Sequence, residues 1–205
     1  RVVQLITLHA DEYAFRHERI QQEASAWLSP PARRQLHLQA ASLLADAARQ
    51  TEGNEILFRA IHHVTAAIDS IQPAPQRQMF SELCALAARQ AKRSGDYASA
   101  LAYLQTARTL STHGGDLFAL DLQRAECEFL LGHLATARTL SETLLASPGG
   151  LTEKALAANL LAEVHIRHSS DPQALDTRLS WLTVCGIHLS REPGDAECDE
   201  AWQAI

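Results

Sequence analysis

Near the start of the chain, "FRHERI" sets Phe15, Arg16, His17, Glu18, Arg19 and Ile20 side by side. An imidazole followed by a carboxylate can donate to a phosphate and titrates near neutrality. The first backbone N–H groups of a following helix would add favourable potential for an anion. The plainer role for the same residues is a helix start, in which Glu18 complements the helix dipole. Other histidines raise a metal hypothesis. His62 and His63 are adjacent, so on a helix they point about 100° apart and share a metal poorly. His165 and His168 lie three apart on one face and would hold zinc given two further ligands. No nearby cysteine or acidic pair completes that set, because Cys185 and His188 lie beyond another helix. The expected metal assignment is therefore none.

Phosphate chemistry has no dedicated loop in these residues. "SPGGLTEK" contains Gly149, Gly150 and Lys154, but Thr152 precedes the lysine, which is the wrong order for GxxxxGK[ST]. Gly149 and Gly150 read instead as a break between two helices. Kinase, GxSxG and HExxH signatures are absent from the sequence. Without a convergent nucleophile, base and oxyanion site, the chain is expected to be no enzyme by itself.

Composition bounds the remaining possibilities. The 205 residues are 46% hydrophobic with only 9 Gly and 7 Pro, enough apolar content for a substantial core. A formal charge of −6 argues against a nonspecific nucleic-acid binder, which needs a basic face. No apolar run approaches the roughly 18 residues of a membrane span, and "RVVQLITLHADEYAF" has neither the long apolar core nor the cleavage site of a signal peptide. Cys84, Cys127, Cys185 and Cys198 stand far apart without a CxxC pair. They read as free thiols of a reducing compartment, giving a cytoplasmic expectation. The chain opens on Arg1 and is read as a piece of something longer.

The elements that would position these groups are mainly helical. "VVQLITL", the turn "HADE" and "YAF" predict a short β-hairpin. From His17 the spacing becomes helical, with Ile20, Ala24, Trp27 and Leu28 as one stripe. Ser29 before Pro30 and Pro31 ends that helix and caps another. The second helix is expected to bury Leu36, Ala40, Leu43, Leu44 and Ala47. "TEGNE" breaks it, "ILFRAIHHVTAAIDSI" is its antiparallel partner, and "QPAPQ" is the next break.

Beyond residue 75 the sequence repeats. Ala88, Ala125 and Ala162 recur every 37 residues, as do Ala100, Ala137 and Ala174. Leu83, Leu120 and Ala157 keep the same period, and Gly95, Gly132 and Ser169 fall at the turn inside each unit. Two antiparallel helices approach closely only where both present small side chains, so the alanines mark crossings. Tyr97, Leu101, Leu104 and Leu110 fill the space towards the next hairpin.

"AARQAKRSGDYASALAYLQTARTL", residues 87–110, resembles the tetratricopeptide repeat, with Ala88, Gly95, Tyr97, Ala100, Leu104 and Ala107 on that motif's spacing. The second unit keeps Ala125, Gly132 and Ala137 but has Ser141 where the motif prefers an aromatic, and the third has Ser169 for the turn glycine. The tetratricopeptide period is about 34 residues, so a spacing of 37 implies slightly longer helices or turns. The stretch from Tyr13 through "LFRAIHHVTAAIDSI", with "WLTVCGIHLSREPGDAECDEAW" near the end, resembles large bacterial signalling ATPases of the STAND class. In them a nucleotide-binding module precedes a winged-helix-like element and tetratricopeptide-like helices. A histidine kinase, Ser/Thr kinase, cyclase or transcription-activator output lies elsewhere.

The resemblance implies a mainly α fold, antiparallel helical hairpins stacked as a tetratricopeptide-like α-solenoid after the short N-terminal β-hairpin. Residues 1–28 would end the winged-helix-like element. Residues 29–205 would be the repeat domain, in units of about 29–72, 76–112, 116–148 and 151–190. It implies that His17 contacts a nucleotide, ATP or ADP, only when the nucleotide module docks, and that this stretch carries no cofactor of its own. Here Glu18 stands where the family usually has Asp. The partner would be protein: another domain of the same chain, or a separate protein or peptide. Repeats of this kind line an inner face with their first helices. Projected from Ala88, that face holds Arg89, Lys92 and Arg93, then Leu122, Glu126 and Phe129, then Asn159 and Glu163. Ala85 and Arg89 occupy the places where a Lys and Asn pair would clamp an acidic C-terminal peptide, so that particular clamp is missing. Three functions stay open: a regulatory scaffold of a signalling ATPase, a free-standing adaptor binding a peptide in its groove, and a His- or metal-based enzyme.

Overall fold

The computed structural model describes residues 6–9, 12–15, 17–50, 54–112, 114–168 and 171–203. It is mainly helical and divides into two compact units, residues 1–73 and 74–205.

The first unit opens with strands β1 (Ile6–His9) and β2 (Glu12–Phe15), paired antiparallel with Ile6 opposite Phe15 and His9 opposite Glu12. Residues 2–5 of the expected first strand and Arg16 lie outside the described residues. Helix α1 (Glu18–Ala26) follows. The Ser29 carbonyl accepts from the Arg33 N–H at 3.0 Å and its hydroxyl lies 3.4 Å from the Ala32 N–H, so Ser29 caps α2 (Pro30–Gln50). Pro30 then sits where no intrahelical N–H is needed. Helix α3 (Asn54–Ala66) packs back along α2 and runs into a 3-10 turn, Ile68–Ser70.

The core of this unit corrects the expected α2 stripe. Ala41 and Ala45 are fully buried, as are Leu57, Ala60, Ile61 and Val64 of α3 to within 4%, whereas Leu43 is 73% and Leu36 55% exposed. The helix carries two apolar faces, and the alanine face wins because it lets α2 and α3 approach most closely. Trp27, at the C-cap of α1 and on the stripe read with Ile20, Ala24 and Leu28, is 86% exposed.

The second unit runs through α4 (Ala74–Arg93), α5 (Tyr97–Leu110), α6 (Gly114–Leu130), α7 (Leu134–Ala146), α8 (Leu151–Arg167), α9 (Asp171–Val184) and α10 (Asp195–Gln203). From α4 to α9 each helix packs on its neighbours in sequence, and α6 also packs on α8. Helices α5, α7 and α9 begin at Tyr97, Leu134 and Asp171, 37 residues apart, as do α6 and α8 at Gly114 and Leu151. Ala88, Ala125, Ala162, Ala100, Ala137 and Ala174 are all buried.

The turns inside the hairpins share one construction. Gly95 and Gly132 take φ of +80° and +83°, a region open to glycine at little cost. The N–H of Asp96 then reaches the Ala91 carbonyl, and that of His133 the Glu128 carbonyl, both at 2.9 Å. This satisfies helix-end carbonyls that would otherwise lack partners. Gly186 closes α9 in the same way, with Ile187 N–H on the Leu182 carbonyl. Ser169, the third expected turn position, lies outside the described residues. Asp96 also caps α5 by accepting from Ser99 N–H at 3.1 Å. Hydrogen bonds from Ser99 hold its carboxyl below the ordinary range.

Between α6, α7 and α8 lies a core of Phe118, Leu122, Ala125, Leu144, Ala157 and Leu160. Ser141, at the position expected to prefer an aromatic, is fully buried, and its hydroxyl donates to the Ala137 carbonyl at 2.9 Å. A small residue that bonds its own helix fits the close crossing there.

Candidate functional site

Helix α4 ends in three cations one turn or less apart, Arg89, Lys92 and Arg93, beside α6. Lys92 forms an ion pair with Glu126 of α6. Arg89 and Arg93 are exposed, and their side chains make no hydrogen bond or ion pair among the described residues. Together with Leu86, Gln90 and Gln123 these cations line an open cleft of about 540 Å³. Leu86, 36% exposed, supplies its apolar wall. Arg89 also borders an adjoining cleft of about 220 Å³, where Ser81, Glu82 and Ala85 of α4 face Ala119 and Gln123 of α6. The Gln78 amide donates to Asp116 at 2.8 Å across its far end.

The other projected groove residues are placed differently. Leu122 is buried in the core. Phe129 packs partly against that core, with the Arg167 guanidinium 4.4 Å above its ring. Glu163 accepts from Arg178 of α9 at 2.5 Å, and Asn159 is exposed on α8. The structure therefore brings together Arg89, Lys92, Arg93 and Glu126, while Phe129 and Glu163 are engaged with α8 and α9 side chains.

His17 lies between β2 and α1. Its backbone is extended (φ −141°, ψ 138°) at the N-cap of α1, and its carbonyl accepts from Ile20 N–H at 3.0 Å. The side chain is exposed and caps nothing. Glu18, in the first turn, accepts from Gln22 at 3.2 Å. His165 is buried, which lowers its imidazole below the usual value, with Arg138 adding to the effect. His168, its partner in the metal hypothesis, is exposed. Among the described residues no group of three or more His, Cys, Asp or Glu side chains is arranged to hold a metal ion.

One cluster was not legible as such. His37 of α2 and His63 of α3 bring their Nδ1 atoms within 2.8 Å. His62 lies nearby, edge-on to both rings, its centroid 5.4 Å from that of His63 and 6.3 Å from that of His37. In the hydrogen-bonded pair one Nδ1 donates and the other accepts, so at least one ring is neutral. Burial lowers the affinity of His63 for a proton, and His37, His62 and Arg59 lower it further. The adjacent pair His62–His63 drew notice in the sequence, but His37 lies 26 residues earlier. The packing of α3 back along α2 is the signal that would have joined them.

No protein-family model matches the chain, and no curated protein sequence matches it.

Proposed function

We propose that this chain is a non-catalytic, tetratricopeptide-like α-solenoid that recognises an acidic protein segment along α4 and α6. The observation that carries this reading is the pair Arg89 and Arg93, exposed and without partners among the described residues, beside Leu86 in the same cleft. In a chain of net charge −6, a local cationic cleft with an apolar wall selects for a ligand bearing both carboxylates and an apolar side chain. Supporting the repeat reading are the 37-residue recurrence of helix starts, the buried alanines and the glycine turns.

In the larger setting we read the array as the regulatory part of a bacterial STAND-type signalling ATPase. It would couple a nucleotide-binding module to an output domain, with His17 reaching ATP or ADP only when that module docks. The acidic segment then belongs either to another domain of the same protein or to a cytoplasmic partner.

Fluorescence anisotropy with labelled acidic-apolar peptides, and basic peptides of matched length, tests the cleft. Acidic peptides should bind, more weakly as salt rises, and the double substitution Arg89→Glu with Arg93→Glu should abolish binding while the helical circular-dichroism signal persists. Equal binding of basic peptides, or an unaffected double variant, would overturn the reading.

A further inference from the structure

A second cleft lies within the first unit, with a volume of about 320 Å³. Cavities that hold small ligands begin at about this size, roughly 300 Å³, and combine apolar walls with a few convergent polar groups. Here the wall is Ala24 and Leu28 on one side and Leu36 and Ala40 of α2 on the other. Leu36 is the residue whose exposure departs from the expected core, so its outward placement creates this wall.

The polar lining groups are Arg33, His37 and His63, together with Ser25. Arg33 is half-buried one turn before His37, and its guanidinium makes no hydrogen bond or ion pair among the described residues. The His37–His63 bond fixes the proton arrangement: the ring whose Nδ1 accepts must carry its own proton on Nε2, if neutral, and so offers a donor. A guanidinium fork and an imidazole N–H lining the same apolar cleft complement a carboxylate on an apolar body. The space is too small for a folded partner.

We propose that the cleft between α1, α2 and α3 binds a small apolar carboxylate, its acid group held by Arg33 and the His37–His63 pair and its body against Leu28, Leu36 and Ala40. The cationic or titratable groups lining the cleft are Arg33 and His37 from α2 and His63 from α3, and Arg59 and His62 act on His63 from α3 itself. Binding therefore favours uptake of one proton by the His37–His63 pair, the other ring staying neutral to accept, and tightens as pH falls from 8 towards 6.

Octanoate is the probe, added to the full 205-residue chain labelled with ¹⁵N, with octanol and acetate as controls. Octanoate should shift the amide resonances of residues 24–40 and 63. Octanol, which lacks the charge, and acetate, which lacks the body, should each bind at least about tenfold more weakly. Arg33→Gln should weaken octanoate about tenfold and leave octanol unchanged. Leu36→Asn, at an exposed position that folding tolerates, should weaken both. Octanol binding as tightly as octanoate, acetate matching octanoate, shifts confined to other residues, or an acidic-apolar peptide occupying the cleft in preference to octanoate would each overturn the proposal.

Discussion

The hydroxyl of Ser81 in α4 donates to the backbone carbonyl of Ala107 in α5 at 2.8 Å, inside a buried interface. That carbonyl also accepts from the Ser111 N–H at 2.8 Å. Replacing Ser81 by alanine removes one of two bonds and leaves no orphaned polar group. Ser81→Ala should therefore cost about 1 kcal/mol, the net worth of one neutral hydrogen bond, read as a lowered urea midpoint. A loss above about 3 kcal/mol would mean the carbonyl had been stranded.

Two glycines separate conformational cost from steric cost. A Cβ at Gly95 meets nothing within 4 Å, but φ is +80°, so Gly95→Ala should cost about 1 kcal/mol. At Gly149 a Cβ would stand 2.7 Å from Cε2 of Phe118, a ring buried in the α6–α8 core. Gly149→Ala should cost about 1–3 kcal/mol by overpacking. Phe118→Leu in the same chain should recover part of that loss in thermal unfolding, whereas it should do nothing for Gly95→Ala.

Thiol chemistry divides the cysteines into two pairs. Burial pushes the Cys84 thiol up to about 12 and raises Cys127 as well, while Cys185 and Cys198 are exposed. Because the thiolate is the nucleophile, a disulfide-exchange reagent should titrate Cys185 and Cys198 rapidly in the folded protein. Cys84 and Cys127 should react only after denaturant is added. Rapid reaction of all four in native conditions would contradict the packing of α4 and α6.

Stability should fall on mild acidification. His63 and His165 both bind a proton less readily in the folded chain, chiefly through burial. The unfolded chain therefore takes up more protons below the ordinary imidazole value of about 6.5. Their contribution is complete above about pH 6.5 and is lost as pH falls through that value and below it. Melting temperatures between pH 7.5 and 5 should show the decline, and His63→Gln should flatten part of it. A melting temperature that rises over this interval would refute the assignment.

Much of the second unit could be read from the residue string, because its constraints are local or periodic. Alanine at 88, 125 and 162 marks close helix crossings wherever it recurs in phase, and glycine at 95 and 132 answers a backbone demand that few other residues meet. The α2 face was not readable in this way. Leu36 and Leu43 advertise burial by type, yet Ala41 and Ala45 take the core, because helix proximity outweighs side-chain size there. Nor could the string choose partners for long side chains. Lys92 found Glu126, and Arg178 paired with Glu163, leaving Arg89 and Arg93 as the projected cations whose side chains have no partner among the described residues.

The packing of α4 to α9 on neighbours in sequence also governs how the second unit comes apart. Its contacts close short loops, so each is regained quickly and lost without disturbing distant ones. Opening the α8–α9 hairpin strips one side of α6 but leaves the α4–α5 interface whole. Cooperativity here extends about one neighbour at a time. The free energy holding any one hairpin closed is accordingly a local property, smaller than that of the unit, and it differs from one end of the array to the other.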